Sequence, residues 1–313
     1  MTPGSERRWI TLTAIVFVVF FALGWPTTQE ALRLYPPILF TGLRSIVTGL
    51  ILLAFSLLIK QRIRQPGVIV VTVLVALLNV IGLQLGMAYA VRYLTSGFAS
   101  LLVYLQPVMF AVAGWLVLKE RVAFRRLLSV AAGVAGAALL LLPEGRWHVE
   151  ATGVAFAFGA AICWTGGSTI QAAAGAWIRQ RHYPRWTRMT GETDVGILTA
   201  TLGPAFLFAG VALVAFDPLV EQWRPQAATG VLEPTGWLLL SAATSAIGWF
   251  AYVHLIRIRV SVTRIATTSF AVPLMANVIG YLFLGEHLRG LQLAGGLLVV
   301  ASIVGAAGSN APP

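Results

Sequence analysis

Residues 270–286 read FAVPLMANVIGYLFLGE and residues 104–120 read YLQPVMFAVAGWLVLKE. Each is apolar enough to lie in a lipid bilayer, each has proline in fourth place, and each closes on glutamate in seventeenth. Pro107, Gly114 and Glu120 recur as Pro273, Gly280 and Glu286, a constant offset of 166 residues that also superposes Gly82 on Gly248 and Met109 on Met275. The chain therefore reads as an internal duplication.

Composition defines the solvent in which the two copies sit. Of 313 residues 58% are hydrophobic and 11% charged, and mean hydropathy is +0.83. So few polar groups cannot cover so much apolar surface in water. This is the composition of an all-α integral membrane protein. Continuous apolar runs, without the period-two alternation of a lipid-facing strand, exclude a β-barrel. A bilayer core takes roughly 20 mostly apolar residues per helix. Ten runs of about that length follow one another at residues 10–29, 38–59, 67–90, 95–118, 125–142, 152–174, 194–216, 235–256, 261–284 and 290–308. The first has arginines before it, as a signal peptide has, but no clear small-residue cleavage site, and it reads as a retained span.

The cations orient these runs. With the N-terminus inside, the cytoplasmic side holds Arg7, Arg8, Lys60, Arg62, Arg64, Lys119, Arg121, Arg125, Arg126, Arg179, Arg181, Arg185, Arg188, Arg257, Arg259 and Arg264, sixteen of the 22 Lys and Arg residues. Arg33, Arg92, Arg146, Arg224 and Arg289 fall outside, and Arg44 within a span. The net charge of +11 is then a topology signal and an attraction to anionic inner-leaflet lipid, not a nucleic-acid footprint. Five spans separate the copies, an odd number, so the second copy crosses the membrane in the opposite sense. Such ten-helix, two-by-five inverted repeats are an architecture of secondary transporters, with the substrate site near the midplane. The expected divisions are a cytoplasmic N-terminus (1–9), a first five-helix repeat (10–143), a second (144–309) containing a basic connector (175–193), and a tail (310–313). Both termini are expected in the cytoplasm of a bacterial inner membrane.

Proline in mid-span removes a donor and frees the carbonyl four residues back, on Val103 for Pro107 and on Ser269 for Pro273. Each is read as a helix break, with a packing kink as the plain alternative. The connector AWIRQRHYPRWTRMTGETD interleaves Trp177, Tyr183 and Trp186 with arginines, which suits anchoring in the inner headgroup layer. Arg44 reads as snorkelling outward ahead of contacting a substrate anion. Glu120 and Glu286 sit at span ends, where turn formation accounts for them. Ala132, Gly133 and Gly136, with Gly295, Ala301 and Gly305, permit close helix approach within one chain. One cysteine, Cys163, forms no intramolecular disulfide, and four scattered histidines suggest no metal site. No cofactor is expected.

Trp25, Arg44 and TSGFASLLVYLQPVMFAVAGWLVLKE in the first copy, with Trp164 and VSVTRIATTSFAVPLMANVIGYLFLGE in the second, resemble the drug/metabolite transporter superfamily, specifically its ten-helix EamA-type permeases. The second copy departs from the pattern in having no arginine in its second helix. The resemblance implies a carrier that exports small organic metabolites by alternating access, with a cavity lined by the first, third, fourth, sixth, eighth and ninth spans. Polar or aromatic positions on those spans are the substrate-binding candidates: Trp25, Gln29, Asn79, Gln84, Tyr104, Gln106, Trp164, Ser168, Trp249, Tyr252, His254, Thr268, Ser269 and Asn277. For each one, a helix-to-helix hydrogen bond or an interfacial ring is the alternative. Aromatic faces with neutral hydrogen-bonding groups suit an amino acid, an aromatic metabolite or another small amphipathic compound. His254 is the one titratable midspan group read as able to couple transport to protons. The expected partners are that small molecule and membrane lipid, with no nucleic acid; a monomer and a homodimer both fit. A channel or lipid scramblase would need a polar stripe through the whole membrane. An intramembrane enzyme would need clustered His, Asp or Glu at depth.

Overall fold

The computed structural model describes residues 3–58, 66–94, 96–104, 106, 108–109, 124–141, 150–182, 193–220, 232–257, 260, 265, 268–283 and 290–307. Their regular secondary structure is helical throughout: α1 (Pro3–Ala31), α2 (Pro37–Leu58), α3 (Pro66–Val75), a π-helical segment (Ala76–Leu85), α4 (Gly86–Tyr93), α5 (Ser96–Val103), α6 (Phe124–Leu141), α7 (Ala151–His182), α8 (Thr193–Val220), α9 (Leu232–Arg257), α10 (Ala271–Phe283) and α11 (Gly290–Ala307). Three of these helices begin on proline, whose fixed φ and missing N–H suit the first helical position. The run from α3 to α4 ends where Leu94 turns extended, at φ −125° and ψ 160°.

Six helices among the described residues are long and apolar enough to cross a membrane: Arg8–Ala31, Pro37–Phe55, Ile69–Tyr93, Ala151–Gln171, Thr201–Pro218 and Glu233–Leu255. Leu50, Ile69, Ile162, Val211 and Leu297 are exposed on the outside of the bundle. An apolar exterior suits hydrocarbon as its solvent, and the protein is an integral membrane protein. The helices overrun several expected limits. α1 starts at Pro3, so residues 3–9 are helical, and α7 continues through Trp177 to His182 into the connector. Tyr183 and Trp186 lie outside the described residues. α8 runs past Pro218 to Val220, which puts Asp217 in a helix and buries it, where a loop was expected. Proline so near a helix end leaves only the final turn without its bond.

The packing repeats between the halves. α2 lies along α8 and α6 along α11; α1 packs on α9 as α7 packs on the π segment and α4; α5 packs on α7 as α10 packs on α1. Glycine permits the closest of these contacts. A β-carbon on Gly210 would lie 2.8 Å from the Gly42 carbonyl oxygen, and one on Gly136 would lie 2.7 Å from the Gly295 carbonyl oxygen. With no hydrophobic drive between helices in lipid, such backbone approach maximises van der Waals contact. The small-residue rows of α6 and α11 thus pack on each other inside one chain, where Ser302 also donates to the Ser129 carbonyl at 2.5 Å.

Candidate functional site

Phe17, Phe21 and Trp25 recur every four residues on α1, which places them on one face. That face meets aromatic side chains from three other parts of the chain. Phe21 stacks on Trp164 of α7 with centroids 5.5 Å apart and planes 11° apart. Tyr104, in the turn just beyond α5, meets Trp164 edge-on at 5.9 Å. Trp249 of α9 lies 6.4 Å from Trp164 and 5.4 Å from Tyr252, one turn further along the same helix. Trp25 donates from Nε1 to the Tyr104 hydroxyl at 3.4 Å. Five of the sequence-selected side chains, Trp25, Tyr104, Trp164, Trp249 and Tyr252, therefore form a single buried cluster. Phe17, Phe21 and Phe206 complete it and were not among the candidates; the four-residue spacing of the α1 rings was the available signal.

Several buried polar atoms on the helices and turns that carry the cluster have no partner. Gln106 donates from Nε2 to the Ser269 hydroxyl at 3.0 Å, joining segments 163 residues apart. Its Oε1 is buried with no partner, as are Trp164 Nε1, Ser168 Oγ and the Tyr252 hydroxyl. Tyr252 and Ser168 interact through their hydroxyls, too loosely to complete a hydrogen bond on either atom. A buried polar atom left unpaired costs about 1–3 kcal/mol, so the Trp164 Nε1 inside the cluster is a donor that a polar ligand or water completes.

Pro273 does not break a helix at mid-span. Ser269 and Phe270 form a turn and α10 starts at Ala271, so Pro273 occupies the first helical turn, where its missing N–H is least costly. The Ser269 carbonyl, expected to be vacant, accepts from the Val272 N–H at 2.9 Å. Pro107 lies outside the described residues, and so does the Asn277 side chain.

The remaining candidates sit elsewhere. Asn79, on the π segment, donates to Gln171 of α7 at 3.4 Å. His254 stacks on Phe250 at 6.2 Å; Gln29 and Thr268 are half-buried. Gln84 lines a cavity of about 40 Å³ between α1, α2, the π segment, α4 and α9, together with Gly24, Arg44, Ser241, Ser245 and Trp249. A π segment holding Asn79 and Gln84 is an added observation, since such windings gather at functional sites.

Arg44 does not snorkel outward. Its side chain is 5% exposed and points into the bundle, where Nη1 donates to Thr28 at 2.9 Å and to Ser241 at 3.4 Å. The guanidinium lies 5.4 Å from the centre of the Phe40 ring. Nε has no acceptor. Snorkelling would need a free path to the headgroups, and contacts from α1 and α9 turn the side chain inward instead.

The sequence compares with known proteins over nearly its full length. A solved crystal structure superposes with a TM-score of 0.74 at 16% identity, covering 96% of this chain and 98% of that one, which establishes a shared fold. The uncharacterized transporter YvbV of Bacillus subtilis is 29% identical over 94% of this chain and 90% of its own. A probable amino-acid metabolite efflux pump of Salmonella typhimurium is 24% identical over 93% and 92% respectively. An S-adenosylmethionine/S-adenosylhomocysteine transporter of Chlamydia muridarum is 25% identical over 93% and 88%. The model of the EamA-like transporter family matches residues 8–142 and 188–308, one match to each copy of the repeat. An aromatic, partly unsatisfied site inside a bundle of apolar helices is thus carried by a membrane transporter scaffold, and the chain belongs to the EamA-like transporter family.

Proposed function

We propose that the chain is a secondary carrier that moves a small amphipathic organic metabolite out of a bacterial cell, binding it at the aromatic cluster between α1, α5, α7 and α9. The observation that carries this reading is the convergence of Trp25, Tyr104, Trp164, Trp249 and Tyr252, drawn from both halves of the chain, with the unpartnered Trp164 Nε1 among them. Ring faces hold the apolar part of a ligand and the polar atoms fix its orientation. Ten spans, arranged as inverted repeats at 10–143 and 144–309 with both termini cytoplasmic, account for the matched packing of the halves and for the side on which the cations fall. Rocking one repeat against the other would then open the site to each face in turn. The efflux pump and the S-adenosylmethionine transporter among the relatives support a metabolite as cargo and outward movement.

Counterflow in proteoliposomes tests this. Vesicles preloaded with an amino-acid mixture should accumulate labelled phenylalanine, tryptophan or S-adenosylmethionine from outside, and Trp164→Ala should reduce the initial rate at least about tenfold. Solute leakage with no dependence on preloading would indicate a channel and overturn the carrier reading.

A further inference from the structure

We infer that Arg44 and the cavity beside it form a carboxylate subsite, so that the carried molecule is an organic acid or amino acid whose carboxylate docks on this guanidinium. The inference deepens the transport reading and rests on it. Arg44 is a cation buried at 5% exposure, and no carboxylate pairs with it among the described residues, where the ion pair found is Arg33 with Glu30 at the surface. Its two hydrogen bonds both leave from Nη1 toward neutral hydroxyls, while Nε, part of the planar fork that matches a carboxylate's two oxygens, has no acceptor.

A buried guanidinium held only by two neutral hydroxyls and the Phe40 ring, with no carboxylate among the described residues, is the kind of group that marks a substrate contact. The cavity supplies the room. Its volume of about 40 Å³ holds a group of a few atoms, given that one water takes roughly 10–15 Å³ by this measure. A β-carbon built on Gly24 meets nothing within 4 Å, so the space continues against α1. The lining is also of the right kind. Gln84, Ser241 and Ser245 offer hydrogen-bond donors for a carboxylate, while the Thr244 hydroxyl donates to the Ser241 carbonyl, and Phe21 and Trp249 form the apolar wall. Those two rings belong to the aromatic cluster as well, edge to face at 5.8 Å. A molecule with its carboxylate at Arg44 would lay its apolar body along them toward Trp164.

Thermal-shift titration of the purified protein in neutral detergent tests this with three probes of one shape: 3-phenylpropionate, 3-phenylpropionamide and phenethylamine. The acid is expected to raise the melting temperature, with the amide and the amine at least about tenfold weaker, the difference made by a hydrogen-bonded charge pair. Arg44→Gln should erase the preference for the acid. Gly24→Leu puts a side chain into the cavity while keeping Arg44 itself and adds helix propensity, and with nothing within 4 Å of its β-carbon it should fold and bind the acid at least about tenfold less well. Equal binding of acid and amide by the parental protein, no shift with the acid, or undiminished acid binding by Gly24→Leu would each overturn the inference. Counterflow separates it from the transport reading. Carriage of a neutral solute with no preference for the acid leaves a carrier without this subsite. Acid-selective binding with no counterflow of any solute leaves the subsite and removes the carrier.

Discussion

Trp164 combines a gain and a loss in one side chain. Its ring stacks on Phe21 and meets Tyr104 and Trp249, while its Nε1 is buried without an acceptor. Trp164→Phe keeps a ring for stacking and deletes the unsatisfied donor. The variant should be as stable as the parent or more so, by roughly 1 kcal/mol, with weaker substrate binding; a melting curve and a binding titration measure the two effects separately. Unchanged affinity would leave Trp164 a packing residue. Much of the cluster was legible in the sequence because a tryptophan or tyrosine within an apolar span stands out against Leu, Val and Ala. Phe21 was not legible, because phenylalanine is ordinary in such a span and only its neighbours give it a role. Arg44 was misread for a related reason: the length of its stem permits either direction, and the direction is set by Thr28 on α1 and Ser241 on α9.

At the level of the element, α10 and the α2–α8 pair carry the tests. The turn at Ser269 and Phe270 is held by the Val272 N–H on the Ser269 carbonyl, with the Ser269 hydroxyl bonded to Gln106. Pro273→Ala introduces an N–H able to reach that carbonyl as an α-helical bond. The expected outcome is a longer α10, a folded protein of equal or higher melting temperature, and lower transport, because Ser269 is drawn away from Gln106. Parental flux in Pro273→Ala would reduce the proline to a helix starter. Where α2 and α8 cross, a β-carbon on Gly210 would lie 2.8 Å from both the Gly42 carbonyl oxygen and the Ile46 amide nitrogen. Backbone cannot step aside as a side-chain tip can, so Gly210→Val should cost about 1–3 kcal/mol, read as a lowered melting temperature. Gly236→Ala, where a β-carbon meets nothing, is the control and should melt as the parent does.

For the whole molecule the decisive test is topology. In a Cys163→Ser background, single cysteines at Gly145 and Ala228 should react with an impermeant thiol reagent in intact cells, and single cysteines at Val122 and Ser261 should not. Labelling at Val122 would overturn the ten-span arrangement, since one misplaced helix inverts every later loop. The sequence by itself determined the solvent, the duplication and the family resemblance. Hydropathy, residue spacing and the distribution of Lys and Arg are properties of the chain read in one dimension, and a bilayer, which demands about 20 apolar residues per crossing, converts them directly into spans. Only the tertiary structure decided which faces of those spans meet. It brought Trp25, Tyr104, Trp164, Trp249 and Tyr252 into one cluster, placed His254 on Phe250, filled the Ser269 carbonyl from Val272, and turned Arg44 inward. The physical reason is that lipid and helix interior are almost equally apolar, so hydropathy cannot distinguish the outer face of a span from the inner one. That choice falls to close packing and to the few polar groups that need a partner.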